Sequence, residues 1–129
     1  MGLATKLKER SPAIRVILMP RDTNEVGTIF GGVIMSLVDQ AGAVEARKAT
    51  DSRVVTVCVR ELMFKKPVRV GDIVSLYTTT KKIGTTSVTV KVEVEVQRRH
   101  NSAITEAVTE AELVFVAVND KMEPTAIQR

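Results

Sequence analysis

Asp39 is the one charged side chain in the run VIMSLVDQAGAV at residues 33–44. A carboxylate in such company must be paired, exposed on a narrow face or held for chemistry, because burying an uncompensated charge is expensive. The same segment opens on Gly31-Gly32. Glycine lets another group come close to the backbone, and the first turn of a helix carries unpaired N–H groups with a partial positive charge. A helix beginning here can therefore cradle a developing oxyanion or a phosphate. Asp39 follows the pair by seven to eight residues, about two helical turns.

The pattern predicts that this helix runs over residues 31–49, with apolar side chains around most of its circumference, so other structure should wrap it. Arg47 and Lys48 near its end suit the helix dipole. A short apolar run at residues 14–19 reads as a strand closed by Pro20. Beyond Arg53 the period changes to two. Strands are expected at residues 54–59, 73–80, 88–97 and 111–118, with a turn at Val70-Gly71-Asp72 and a break at Gly84. Val88, Val90, Val92, Val94 and Val96 alternate with polar residues, which marks a strand with one wet face. Connections of this length favour antiparallel neighbours, so the four strands read as a meander with an extra strand ahead of it. The economical arrangement is an α+β domain in which a curved antiparallel sheet wraps one long central helix. Residues 1–12 read as a mobile tail and residues 13–129 as a single domain.

Composition narrows the function. The chain has 129 residues, 44% of them apolar, with three Phe, one Tyr and no Trp. Its net charge of +4 admits anionic partners, yet the basic pairs Lys65-Lys66, Lys81-Lys82 and Arg98-Arg99 fall near strand ends and lack aromatics for stacking bases, which argues against nucleic acid. No apolar run approaches the ~18 residues of a membrane span, the first twelve residues lack the apolar core of a secretion signal, and Lys6 stands where a myristoylation pattern needs Ser or Thr. One cysteine, Cys58, permits no internal disulfide and suits a reducing cytoplasm; mid-strand and without a histidine partner, it is expected in the core.

The order PRDTNEVGTIFGGVIMSLVDQAGA, VVTVCV, MFKKPVRVGD, GTTS and FVAV resembles the hot-dog-fold acyl-CoA thioesterases of the acyl-CoA hydrolase branch, over residues 16–118. The resemblance is most specific in the first segment. It implies hydrolysis of acyl-CoA to a free acid and coenzyme A, in a homodimer with sites at the subunit interface, assembled further into a hexamer or tetramer. By the same resemblance, Asp39 is the catalytic carboxylate, as general base or nucleophile. Asn24 from the other subunit orients water or substrate, and the helix start at Gly31-Gly32 polarises the thioester carbonyl. The chemistry is consistent with those roles. A thioester has a good leaving group, so the enzyme needs mainly an activated oxygen and an oxyanion donor, one of which is typically worth ~2.7–4 kcal/mol, and no metal or redox cofactor is called for. A base partly removed from water would have its pKa raised toward the working pH. Glu45, Arg60, Glu61 and Met63 depart from the family pattern, and the packing of Phe64, Met63 and Met35 would set the acyl-chain preference.

Other residues have simpler readings beside their functional ones. Asn24 suits turn chemistry; Gly31 and Thr56, candidate substrate contacts, suit respectively tight helix packing with Gly32 and a structural place on a strand passing near the helix. The turn at Gly84, Thr85, Thr86 and Ser87 offers hydroxyls to pantetheine or a phosphate, and Arg98 or Arg99 can meet the CoA phosphates through charge-assisted bonds. Glu45 lies about 240° around the helix from Asp39, so the two make no catalytic pair within one chain. His100, the only histidine, sits in a basic connection. A helix without histidine speaks against the alternative of a hydroxyacyl thioester dehydratase. A second alternative is a sensor that binds acyl-CoA without cleaving it.

Overall fold

Alternation along the valine-rich strand sets the architecture. Val88, Val90, Val92, Val94 and Val96 are fully buried, while the polar residues between them are only partly buried. A computed structural model describes residues 10–127 and contains strands β1 (Ile14–Ile17), β2 (Arg53–Phe64), β3 (Ile73–Ile83), β4 (Ser87–Gln97) and β5 (Thr105–Val118), with helix α1 (Gly31–Ala46) between β1 and β2. The strands form one antiparallel sheet in the order β1-β3-β4-β5-β2, and α1 lies against β2 to β5. Most of the expected tail lies outside the described residues. At its end, Arg10 reaches Glu93 and Glu95 and stacks over the Tyr77 ring, 3.9 Å from its centroid.

The sheet differs from a four-stranded meander in one respect. β3, β4 and β5 are consecutive hairpin neighbours, whereas β2 leaves β3 and pairs with β5 at the far edge. Residues 65–72, which join β2 to β3, can extend to roughly 26 Å, and three strand spacings require only roughly 14 Å. The connector is tied down on its way: Val68 is buried and its carbonyl accepts the Ile29 N–H at 2.9 Å. β2 and β5 are also longer than their apolar cores suggest, because each carries charged residues at its outer positions.

One stripe of α1 is buried: Ile34, Val38, Ala41, Gly42 and Ala46. Gly42 is there for contact, since a Cβ at this position would meet the Phe115 ring at 2.9 Å. The expectation of a helix wrapped all round is not met within the chain. Val33, Met35, Leu37 and Ala43 are only partly buried, Val44 is exposed, and edge strand β2 exposes Val57, Val59, Met63 and Phe64. Cys58 is exposed too, not in the core. The physical reason is shared: β2 is the last strand of the sheet, and nothing among the described residues covers it.

Candidate active site

Asp39 stands one residue past Val38, about 100° off the buried stripe, and is partly buried. That rotation turns it toward β2, where the Thr56 hydroxyl donates to Asp39 Oδ1 at 2.6 Å. Thr56 sits at an irregularity of β2, where the pairing with β5 shifts register between Thr56 and Cys58. Among the described residues Asp39 Oδ2 has no hydrogen-bond partner. The carboxylate is thus anchored by one oxygen and open at the other. Of the candidate residues, Asp39 and Thr56 are brought into direct contact.

A second group gathers at the helix start. Phe30 precedes α1 without a side-chain cap, and the first turn holds no acidic residue. The N–H groups of Gly31 and Gly32 have no acceptor among the described residues, whereas Val33 and Ile34 already donate to the Phe30 carbonyl. The two glycines differ. A Cβ on Gly31 would lie 3.3 Å from the Phe64 ring, so this glycine admits the aromatic side chain; a Cβ on Gly32 would meet nothing within 4 Å, so its backbone is open. Beside them is a cavity of about 270 Å³ lined by Ile29, Gly31, Ile34, Phe64, Val68 and Thr109, with Lys65, Lys66 and Pro67 completing it.

Asn24 organises the loop ahead of the helix. Its Oδ1 accepts the Val26 and Thr28 N–H groups at 3.0 and 3.1 Å, and its Nδ2 donates to Thr28 Oγ1 at 2.9 Å. This is turn chemistry, and it leaves one amide hydrogen uncommitted among the described residues.

The expected CoA contacts lie at opposite ends of the sheet. Gly84, Thr85 and Thr86 form the β3–β4 hairpin turn, where Gly84 N–H donates to the Ser87 carbonyl at 2.8 Å. The Thr85 and Thr86 carbonyls accept from Ile127 and Ala117. Arg98 and Arg99 follow the other end of β4, about 34 Å away for a strand of this length, so one chain does not offer both to the same short group. Arg98 is a correction to the CoA-phosphate reading. It is buried, and its guanidinium is spent on Asp72 at 2.6 Å, on Glu106 at 2.7 Å and on the Pro67 carbonyl at 3.1 Å. Burial alone would lower the Arg98 pKa, but the hydrogen bonds and charges of Glu106 and Asp72 outweigh it and raise it. Arg99 is exposed, and its side chain makes no ion pair among the described residues.

Glu45 does not pair with Asp39 and is engaged by β3 and Lys48 instead. It accepts from Thr78 and Thr80 at 2.9 and 2.7 Å and pairs with Lys48 at 3.0 Å. Burial pushes its carboxyl up; the hydrogen bonds from Thr80, Lys48 and Thr78, with the Lys48 charge, prevail and hold it below its usual value. Two participants escaped sequence reasoning. Asp72 looked like part of a turn, and Thr109 lay before the expected start of β5. The signal available for Thr109 was its place in the alternating series Thr109, Ala111, Leu113, Phe115 and Ala117.

An antiparallel sheet curled against one long helix, with a half-anchored carboxylate midway along that helix and open N–H groups at its start, is a scaffold able to serve acyl transfer. The Thioesterase superfamily model matches residues 26–103, and the chain belongs to this family. It is 42% identical over 113 residues to acyl-CoA thioester hydrolase YciA of Salmonella typhimurium, covering 86% of this chain and 85% of the relative. Among solved structures, a hexameric broad specificity acyl-coenzyme A thioesterase, crystallised as an aspartate-to-alanine mutant, matches with TM-score 0.87 and 40% identity over 93% of this chain and 88% of its own. An acyl-CoA hydrolase from Staphylococcus aureus, in complex with butyryl coenzyme A, coenzyme A and coenzyme A disulfide, matches with TM-score 0.80 and 30% identity over 88% and 69%. That hydrolase is also known as an asparagine-to-alanine and an aspartate-to-alanine mutant, fifteen positions apart. Asn24 and Asp39 have the same separation.

Proposed function

We propose that this chain hydrolyses acyl-CoA to a free acid and coenzyme A, with Asp39 activating water or attacking the thioester itself. The observation that carries this reading is the Asp39 carboxylate, anchored at one oxygen by Thr56 and open at the other, in a chain of the thioesterase family. Gly32, with its open N–H, is the oxyanion donor in the proposal, and Asn24 lends its remaining amide hydrogen to the water or substrate. The scheme calls on no metal or redox cofactor.

Helix geometry supports a shared site. Seven residues separate Gly32 from Asp39, or about 10 Å along the axis. One carbonyl carbon cannot be within reach of both in the same copy. The proposed site therefore joins Asp39 and Thr56 of one protomer to Gly32 and Asn24 of its partner, in a homodimer formed through the exposed β2 edge and the open flank of α1. The hexameric relatives support assembly into a hexamer. Arg99 is the remaining candidate for a CoA phosphate, and Gly84 to Ser87 would come from the protomer that supplies Asp39, since Val88 and Thr56 both pair with Phe115. No helix among the described residues is long and apolar enough to cross a membrane; the free Cys58 suits a reducing compartment, and the cytoplasm is the proposed location.

Release of free thiol from a panel of acyl-CoAs tests the proposal. The wild-type chain is expected to release it, and Asp39→Asn to lower the rate by about 10²- to 10⁴-fold with thermal unfolding and CoA binding unchanged. An undiminished rate in the variant would overturn the assignment.

A further inference from the structure

Thr109 is 2% exposed, and its hydroxyl oxygen has no hydrogen-bond partner among the described residues. It occupies an inward position of β5 in a row otherwise made of Ala111, Leu113, Phe115 and Ala117. A buried hydroxyl with no partner costs free energy that valine at the same place would not. An unsatisfied group of this kind calls for a physical account.

Its surroundings supply one. Thr109 lines the cavity of about 270 Å³ beside Gly31. Its cross-strand neighbour on β2 is Phe64, half-exposed, whose ring leans on Gly31. At the rim, the Lys65 and Lys66 ammonium groups are tied to Glu110 and Glu106 at 3.0 Å each. Ile29, Ile34, Phe64 and Val68 give the cavity apolar walls, and Gly31 brings its open N–H. A thioester carbonyl polarised at the start of α1 would have this cavity as the adjoining apolar room for its acyl chain.

We infer that the cavity takes the acyl group, and that the Thr109 hydroxyl selects short chains bearing a hydroxyl beyond the carbonyl over their unsubstituted counterparts. The inference rests on the thioesterase reading and adds a specificity-determining residue to it. A hydroxylated chain completes the orphaned hydrogen bond on reaching Thr109, and a plain alkyl chain leaves it unmade.

The test uses CoA thioethers, which bind without being cleaved. Calorimetry compares S-butyl-CoA with its 3-hydroxybutyl and 4-hydroxybutyl analogues on wild type, Thr109→Val and Thr109→Ser, while thiol release from butyryl-CoA is followed in parallel. Wild type should bind at least one hydroxylated thioether more tightly than S-butyl-CoA. Thr109→Val should reduce that preference by about threefold to tenfold, and Thr109→Ser should keep it. A preference absent in wild type, or unchanged in Thr109→Val, overturns the inference even if thiol is released. A preference that responds to Thr109→Val, without thiol release by wild type, supports the inference on binding and removes the hydrolytic reading instead.

Discussion

Thr56 does for Asp39 what a carboxylate on a flexible side chain cannot do alone: it fixes one oxygen, and so the plane and direction of the other. Replacing Thr56 with Val keeps the shape and removes the donor. We expect kcat for thiol release to fall by about tenfold to a hundredfold, the worth of a hydrogen bond to a charged group; KM and the melting temperature should stay near wild type. A fall in melting temperature with no fall in kcat would make Thr56 merely structural. At this scale Asp39 was legible because one charge in the apolar run of residues 33–44 is conspicuous. Its bond to Thr56 was not, since seventeen residues separate the two and only the fold closes the gap. Arg98 shows the opposite failure. A paired arginine at a strand end looks like an anion contact, and its burial beside Asp72 is invisible until Gly71-Asp72 and the end of β4 are brought together.

Among the elements, α1 and the alternating β4 were legible from their periods and the hairpin β3–β4 from its short connection, while β5 begins at Thr105, ahead of the expected start at Ala111. Sheet order was not. Placing β2 beside β5 depends on a connector long enough to cross the sheet, and nothing local favours that choice over pairing with β3. Arg98 helps hold the arrangement, joining the β2–β3 connector at Pro67 and Asp72 to Glu106 on β5. Removing one partner of a buried pair leaves the other charge uncompensated, here Asp72 at 2% exposure. Arg98→Ala should therefore destabilise the protein by about 3–5 kcal/mol in denaturant unfolding. A loss within the range of an ordinary surface change would mean that the pair contributes little to holding the connector.

At the scale of the whole molecule, the open flank of α1 and the bare edge of β2 have one explanation in common with the spacing of Gly32 and Asp39, the proposed two-copy unit. Apolar residues around most of the helix led to the expectation of a helix wrapped all round, and the described residues cover only one side of it. The central claim is that Asp39 of one protomer serves the same thioester as Asn24 of its partner. Mixing the inactive Asn24→Ala and Asp39→Ala proteins, and verifying that mixed dimers have formed, tests it most directly. Random mixing should restore about a quarter of the wild-type rate, because half the dimers then carry one intact site of two. Verified mixed dimers that release no thiol would contradict the account.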